Sequence, residues 1–297
     1  MSIEVAPTAA GTPAPEPTTL PGRRPFGVLR FLIRRDAVAC LLVALFVLVA
    51  LLAPLIEPHN PTSVDVLSRL EAPSSEHLLG TDQFGRDLLS RIIAATRIAA
   101  EAAVIVLAVG ALIGSPLGAA AGVMGRRLDA VLSRMVEVIQ GFPVVLLAIV
   151  FVAVTGRSLF YAMLAVGIGT IPDFYRIARG VALQLRSREF VEAARAYGAS
   201  SPRIIRTEIM PNTVGPLVVV ASFDAATAVM YESALSFIGL GAQPPTASFG
   251  RMLFEAKGYL AQDALYAVFV GVALAAVLLG LNLLGDALSD YFERDER

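Results

Sequence analysis

Hydrophobic positions in this 297-residue chain come in long blocks rather than in the short periods of a soluble helix or strand. A helix crossing the hydrocarbon layer of a bilayer, roughly 30 Å, needs about 20 predominantly apolar residues. Six blocks qualify, at about 38–56, 98–124, 131–154, 159–177, 213–235 and 264–284. Backbone polar groups in lipid must be satisfied within the segment, so these blocks read as helices. Gly141 and Pro143 interrupt the third, and Gly167, Gly169 and Pro172 break the fourth. Gly110, Gly114 and Gly118 recur at the four-residue spacing that lets neighbouring helices approach closely. The expected fold is therefore all-α, a multi-pass membrane protein with six transmembrane helices.

Composition agrees: the chain is 56% hydrophobic and 16% charged, with mean hydropathy +0.69, where soluble domains carry about 25% charged residues. Lys257 is the only lysine among 24 basic residues, so position matters more than total charge. Arg23, Arg24, Arg30, Arg34 and Arg35 precede the first block, and Arg126, Arg127 and Arg134 lie between the second and third. Arg176, Arg179, Arg186, Arg188, Arg195, Arg203 and Arg206 lie between the fourth and fifth. With six spans these groups share one side, which the positive-inside rule makes cytoplasmic, together with both termini. Arg69, Arg86, Arg91 and Arg97 in the first outer loop weaken that contrast. A net charge of −1 offers no footprint for nucleic acid. The lone Cys40 excludes an internal disulfide or a cysteine metal cluster. Residues 1–25, rich in Ala, Pro and Thr, are expected to form a disordered tail and not a signal peptide. The chain then divides into 26–95 (first helix and outer loop), a domain at 96–290 that holds the remaining helices, and a short tail at 291–297.

Catalytic chemistry is not indicated. A Walker-type phosphate loop needs Gly-Lys-[Ser/Thr], and Lys257 stands between Ala256 and Gly258. No HExxH, GxSxG or metal-ligand spacing is found either. His59 and His77 read as loop residues rather than nickel ligands.

The polar stretch 173–212 is different, because it is patterned. In SREFVEAARAYG, Phe190, Ala194 and Tyr197 fall on one helical face beside Glu189, Glu192 and Arg195. Gly198 supplies a left-handed stop. Ser201-Pro202 reads as an N-cap followed by proline in the first turn, and Pro211 as the end of a second short helix. Two short amphipathic helices result, lying either on lipid or against a soluble partner.

Here residues and a known family meet. Glu192-Ala193-Ala194, Gly198 and the later Ile209-Met210-Pro211 resemble the EAA motif of ABC-importer permeases, with Glu208 where histidine is common. His77 to Asp87 (HLLGTDQFGRD), Leu235 to Pro245 (LSFIGLGAQPP) and Asn282 to Asp286 (NLLGD) resemble signatures of the C-type subunit of the dipeptide, oligopeptide and nickel group. The resemblance implies a type I ABC-importer transmembrane domain. Its coupling loop (Glu192, Ala193, Ala194, Gly198, Glu208 and Pro211) would meet an ATPase. It also implies a B-type permease as heterodimer partner, two ATPase subunits that hold ATP and Mg, and an extracytoplasmic substrate-binding protein. This chain would bind no cofactor of its own.

Two acids fall inside the fifth block. Charge at mid-membrane costs on the order of 2.5–3.5 kcal/mol, so such residues face a bundle interior or water. Asp224 and Glu232 are thus candidates for the translocation path or for structural hydrogen bonds. An ion-coupled carrier would use the same acids, but carriers commonly show paired repeats and none is found here. Dipeptides or oligopeptides are the expected cargo, with nickel complexes, glutathione or another small solute as alternatives.

Overall fold

The computed structural model describes Phe31 and residues 36–295, with side chains through Phe292. The expected tail at 1–25 and the arginines before the first helix lie outside the described residues. Helices dominate, and the one β pairing among the described residues is an isolated bridge between Thr81 and Asp87.

The apolar blocks become long helices. Helix α1 (Ala37–Ile56) carries Pro54 only in its last turn. Helix α2 (Leu88–Val109) begins where the Asp87 side chain accepts from the Ser90 N–H, an N-cap that starts the helix ten residues before the expected apolar block. It runs through a π turn (Gly110–Gly114) into α3 (Ser115–Met124), making 37 residues without a break. Gly125, at φ 110°, ends it.

The third block differs from expectation. It is two helices, α4 (Arg126–Gln140) and α5 (Val144–Thr155), bent by 82°. Pro143 cannot continue a helix from Gly141, so α5 restarts with a new axis. Next come α6 (Leu159–Leu185), α7 (Glu189–Ala196), α8 (Ser201–Ile204), a π turn (Ile205–Ile209), α9 (Met210–Phe237), α10 (Phe249–Ala256) and α11 (Ala264–Asp295). Among the described residues, four helices are long and apolar enough to cross a membrane: α1, α2–α3, α8–α9 and α11; the α4–α5 pair makes a fifth if the two count as one span. The remaining expected span, the fourth block, exists as α6, but its second half carries Asp173, Arg176 and Arg179. A count of six by length and composition is therefore not reached. The expected short tail from 291 is helical through Asp295, as the last turn of α11.

Close approach organises the bundle. A Cβ on Gly118 would lie 2.2 Å from the Tyr175 carbonyl oxygen, and one on Gly122 would lie 2.4 Å from the Ala182 side chain. Gly110 and Gly114 press likewise on Phe174 and Ile171. The small stripe of α2–α3 thus lies along α6, the two chains running parallel, as its spacing foretells. Helix α11 runs antiparallel to α1, with Gly280 on Leu42, and to α9, with Gly285 on Phe223. The core between α2, α5, α6, α9 and α11 includes Val106, Val152, Met163, Val229 and Tyr266. Leu41, Leu45, Leu48, Leu51 and Leu55 of α1 remain exposed, an apolar face suited to lipid.

Candidate functional site

At the arginine-rich end, α6 turns into α7 and α8. The α7 helix closes on Gly198, at φ 82°, while the Ala199 N–H reaches back to the Ala194 carbonyl at 3.0 Å. That is a Schellman stop, and it needs the left-handed conformation glycine adopts without strain. Val191 is fully buried, with Ile204 and Ile209, against Ala119, Val123 and Ala182 of α3 and α6. This clamps the loop onto the bundle.

The Val191 side of α7, not the side that carries Phe190 and Tyr197, packs on the bundle. Phe190 is exposed and Tyr197 is 91% exposed, while Ala194 is half-buried beside Val191. Glu192, Ala193 and Gly198 also face outward. The loop therefore presents a surface of aromatic and charged side chains of both signs away from the bundle.

Beyond Gly198 two further expectations change. Ser200, not Ser201, occupies the N-cap position of α8. Pro211 does not end a second helix: α8, the π turn and α9 are continuous. Proline in a helix lacks an N–H and crowds the carbonyl four residues earlier. The π turn widens the backbone just before it, with the Met210 N–H bonding the Ile205 carbonyl. The Asn212 side-chain amide donates to the Glu208 carbonyl at 2.6 Å, and Thr207 Oγ donates to the half-buried Glu208 carboxylate at 3.0 Å. Nearby, Arg179 Nη2 donates to Asp129 Oδ2 at 2.8 Å, and Ser133 Oγ and Tyr175 Oη lie 2.9 Å apart, so α4 is tied to α6.

The two intramembrane acids are in different surroundings. Asp224 is half-buried, and its Oδ2 has no hydrogen-bond partner among the described residues; Asp173 of α6 is the charge that bears on it. Glu232 is fully buried, and Ser236 Oγ donates to its Oε1 at 2.7 Å. Ser236 Oγ in turn accepts from the Ala242 N–H at 2.9 Å. That chain fastens the segment after α9 back onto the helix end. Gly241 has no room for a Cβ, which would lie 2.2 Å from Ser236 Oγ.

At the same end as Glu232, residues 57–87 form a compact turn. Asp82 Oδ1 accepts from the Phe84 and Arg86 N–H groups, and Gly80 and Gly85 adopt φ 81° and 71°. Arg86 Nε donates to Asp82 Oδ2 at 2.6 Å and Arg86 Nη2 to Glu255 Oε2 at 2.8 Å. Arg91 lies between the same two acids, at 3.3 and 3.5 Å, although its Nε is not aligned for a hydrogen bond. Sequence reasoning placed Arg86 and Arg91 in a loop and did not find Glu255. The signal was there in part, since two arginines near an apolar block need partners, but nothing local pointed to α10. Burial works against the charged form of Asp87, yet the Ser90 hydroxyl and N–H and the His77 ring outweigh it and hold its carboxyl below the ordinary range.

Comparison with known proteins agrees with this architecture. The family model described as "Binding-protein-dependent transport system inner membrane component" matches residues 114–297. A probable D,D-dipeptide transport system permease of Escherichia coli is 37% identical over 86% of each chain. A glutathione transport system permease of Pectobacterium atrosepticum is 38% identical over 89% of this chain and 88% of that one. A nickel transport system permease of E. coli is 33% identical over 86% and 92%. A chain of the inward-facing MetNI methionine ABC transporter shares the fold, with TM-score 0.57 and 21% identity over 67% of this chain and 94% of that one. With several helices long and apolar enough to span, a clamped loop between α6 and α9, and this match over most of its length, the chain belongs to the binding-protein-dependent transport system inner membrane components.

Proposed function

We propose that the chain forms half of the translocation pathway of an ATP-driven importer of dipeptides or oligopeptides. The observation that carries the reading is the α7 loop: it is fixed to the bundle through Val191 yet presents Glu192, Tyr197 and Gly198 outward. A rigid, outward-facing element between two spans suits docking by a soluble subunit. The arginine-rich end then faces the cytoplasm, with both termini. Two ATPase subunits hold ATP and Mg and dock on this loop and on its counterpart in a second, B-type permease. A binding protein delivers cargo to the opposite end. Asp224, with an unsatisfied oxygen, lines the path; Glu232, spent on Ser236, anchors the outer segment instead. Relatives named for glutathione and nickel transport favour a second reading for cargo alone, in which the same machinery imports another small solute.

The test is purification of the tagged chain from its native membrane. An ATPase and a second permease should accompany it, and isolation alone would end the importer reading. Glu192→Lys and Gly198→Asp should lower uptake and stimulated ATP hydrolysis without impairing membrane insertion. Unchanged uptake in both would remove the coupling assignment. The ligand retained by the cognate binding protein decides between peptide and other cargo.

A further inference from the structure

We propose that His59, His77 and Asp87 form a binding site for a divalent transition-metal ion of the zinc class, at the end of the molecule opposite the α7 loop. Nδ1 of His77 lies 3.0 Å from Asp87 Oδ1, and Nδ1 of His59 lies 3.8 Å from the same oxygen. One ligand atom from each of the three residues falls within 4.8 Å of the others. A tetrahedral ion with bonds of about 2.0–2.2 Å holds its ligand atoms about 3.4 Å apart. The two separations from Asp87 bracket that value. Small rotations of the rings, whose centroids are 4.9 Å apart, bring the set to coordinating distance.

The donor chemistry fits. Two imidazoles and one carboxylate suit a borderline-soft divalent ion, and three protein ligands leave a position for water. The Asp87 carboxylate and the backbone of both histidines are held in place by hydrogen bonds. The other oxygen of Asp87 accepts from the Ser90 N–H at 2.8 Å and from the Ser90 hydroxyl at 2.7 Å. That same hydroxyl accepts from the His59 N–H at 3.0 Å, so Ser90 braces two of the three ligands. The His77 N–H donates to Ser74 Oγ at 3.0 Å, and its carbonyl accepts from the Ser74 and Gly80 N–H groups. Access is open on one side: the His59 side chain is 40% exposed, while that of Asp87 is 2% exposed.

A hydrogen bond from His77 to Asp87 accounts for that pair alone. It leaves the His59 ring aimed at the same oxygen from beyond hydrogen-bond distance, whereas an ion engages all three. Spacings of 18 and 10 residues match no short metal motif, which is why sequence reading passed the site over. His59 follows α1 and Asp87 caps α2, so the ion would clip together the two ends of the 57–87 segment. Closing a loop in this way removes chain entropy from its open states.

The experiment is zinc titration of the full-length chain, purified with its accompanying subunits and stripped of metal, against a competing indicator near neutral pH. The wild-type preparation should take up about one more zinc per chain than His59→Gln, or bind it at least about tenfold more tightly. Zinc should raise the thermal midpoint of the wild type and not that of His59→Gln, whose exposed position leaves the fold intact. His59→Cys, which replaces one ligand by another, should restore uptake. Equal uptake by wild type and His59→Gln overturns the proposal. So does no uptake by the wild type, or a His59→Cys variant that binds no better than His59→Gln.

Discussion

Arg86 donates to the Glu255 carboxylate at 2.8 Å across 169 positions of sequence, joining the turn before α2 to the helix after α9. Arg91 approaches the same oxygen at 3.5 Å. Asp82 and the partly exposed Arg251, which donates to the other Glu255 oxygen at 2.9 Å, complete the group, and Arg86, Arg91, Asp82 and Glu255 have little access to water. Removing one member of such a buried set strands a charge, at a cost of about 3–5 kcal/mol. Glu255→Gln should therefore lower the thermal midpoint markedly. The chain has no tryptophan, so loss of helix by circular dichroism is the suitable readout. An unchanged midpoint would mean that the network contributes nothing net.

The α3–α6 contact depends on the absence of a side chain. Gly118→Val places carbon where the Tyr175 carbonyl oxygen stands, only 2.2 Å from the ideal Cβ position, so accumulation in the membrane should fall sharply. Gly271→Ala, in α11 with nothing within 4 Å of the added carbon, is the control. It should be neutral or stabilise by up to about 1 kcal/mol, because glycine is a poor helix former. Equal accumulation of the two variants would refute close packing as the reason for the stripe.

Within the α7 loop, burial and docking separate. Val191→Asp puts a carboxylate into an apolar pocket, at a cost of roughly 2 kcal/mol or more, and should loosen the loop, seen as faster proteolysis between α6 and α9. Tyr197→Ala alters a side chain that is 91% exposed and should shift stability by no more than about 0.5 kcal/mol. It should nevertheless reduce recovery of the ATPase with the tagged chain. Full recovery would place the docking surface elsewhere.

For Asp224, Asp224→Ala removes a carboxylate with one oxygen unsatisfied inside the chain, so stability should hold or rise. Uptake should drop at normal expression. Normal uptake would take Asp224 out of the path.

The sequence reading found the long helices because transfer of apolar side chains from water dominates their placement, and α1 begins and ends within one residue of its apolar block. It missed the early start of α2, since Arg91 and Thr96 look like loop residues until packing in the folded chain buries them. Gly141 and Pro143 marked an interruption, but not that its angle would be 82°, because a turn of this kind takes its geometry from the surfaces on either side. Of the candidate site, Gly198 was legible from local backbone chemistry alone. Val191 was not: the α7 pattern offers Phe190 and Tyr197 as equally apolar, and only α3 and α6 decide which side is covered. Pro211 misled for a similar reason, since a π turn absorbed it.

That absorption makes Ser201–Phe237 one helix of 37 residues. At 1.5 Å per residue Asp224 stands about 35 Å along this rod from its foot. A tilt of about 10° at the foot would carry the carboxylate sideways by about 6 Å, more than the width of a side chain. The docking end and the half-buried carboxylate would then be two stretches of the same spindle, needing no linkage between them.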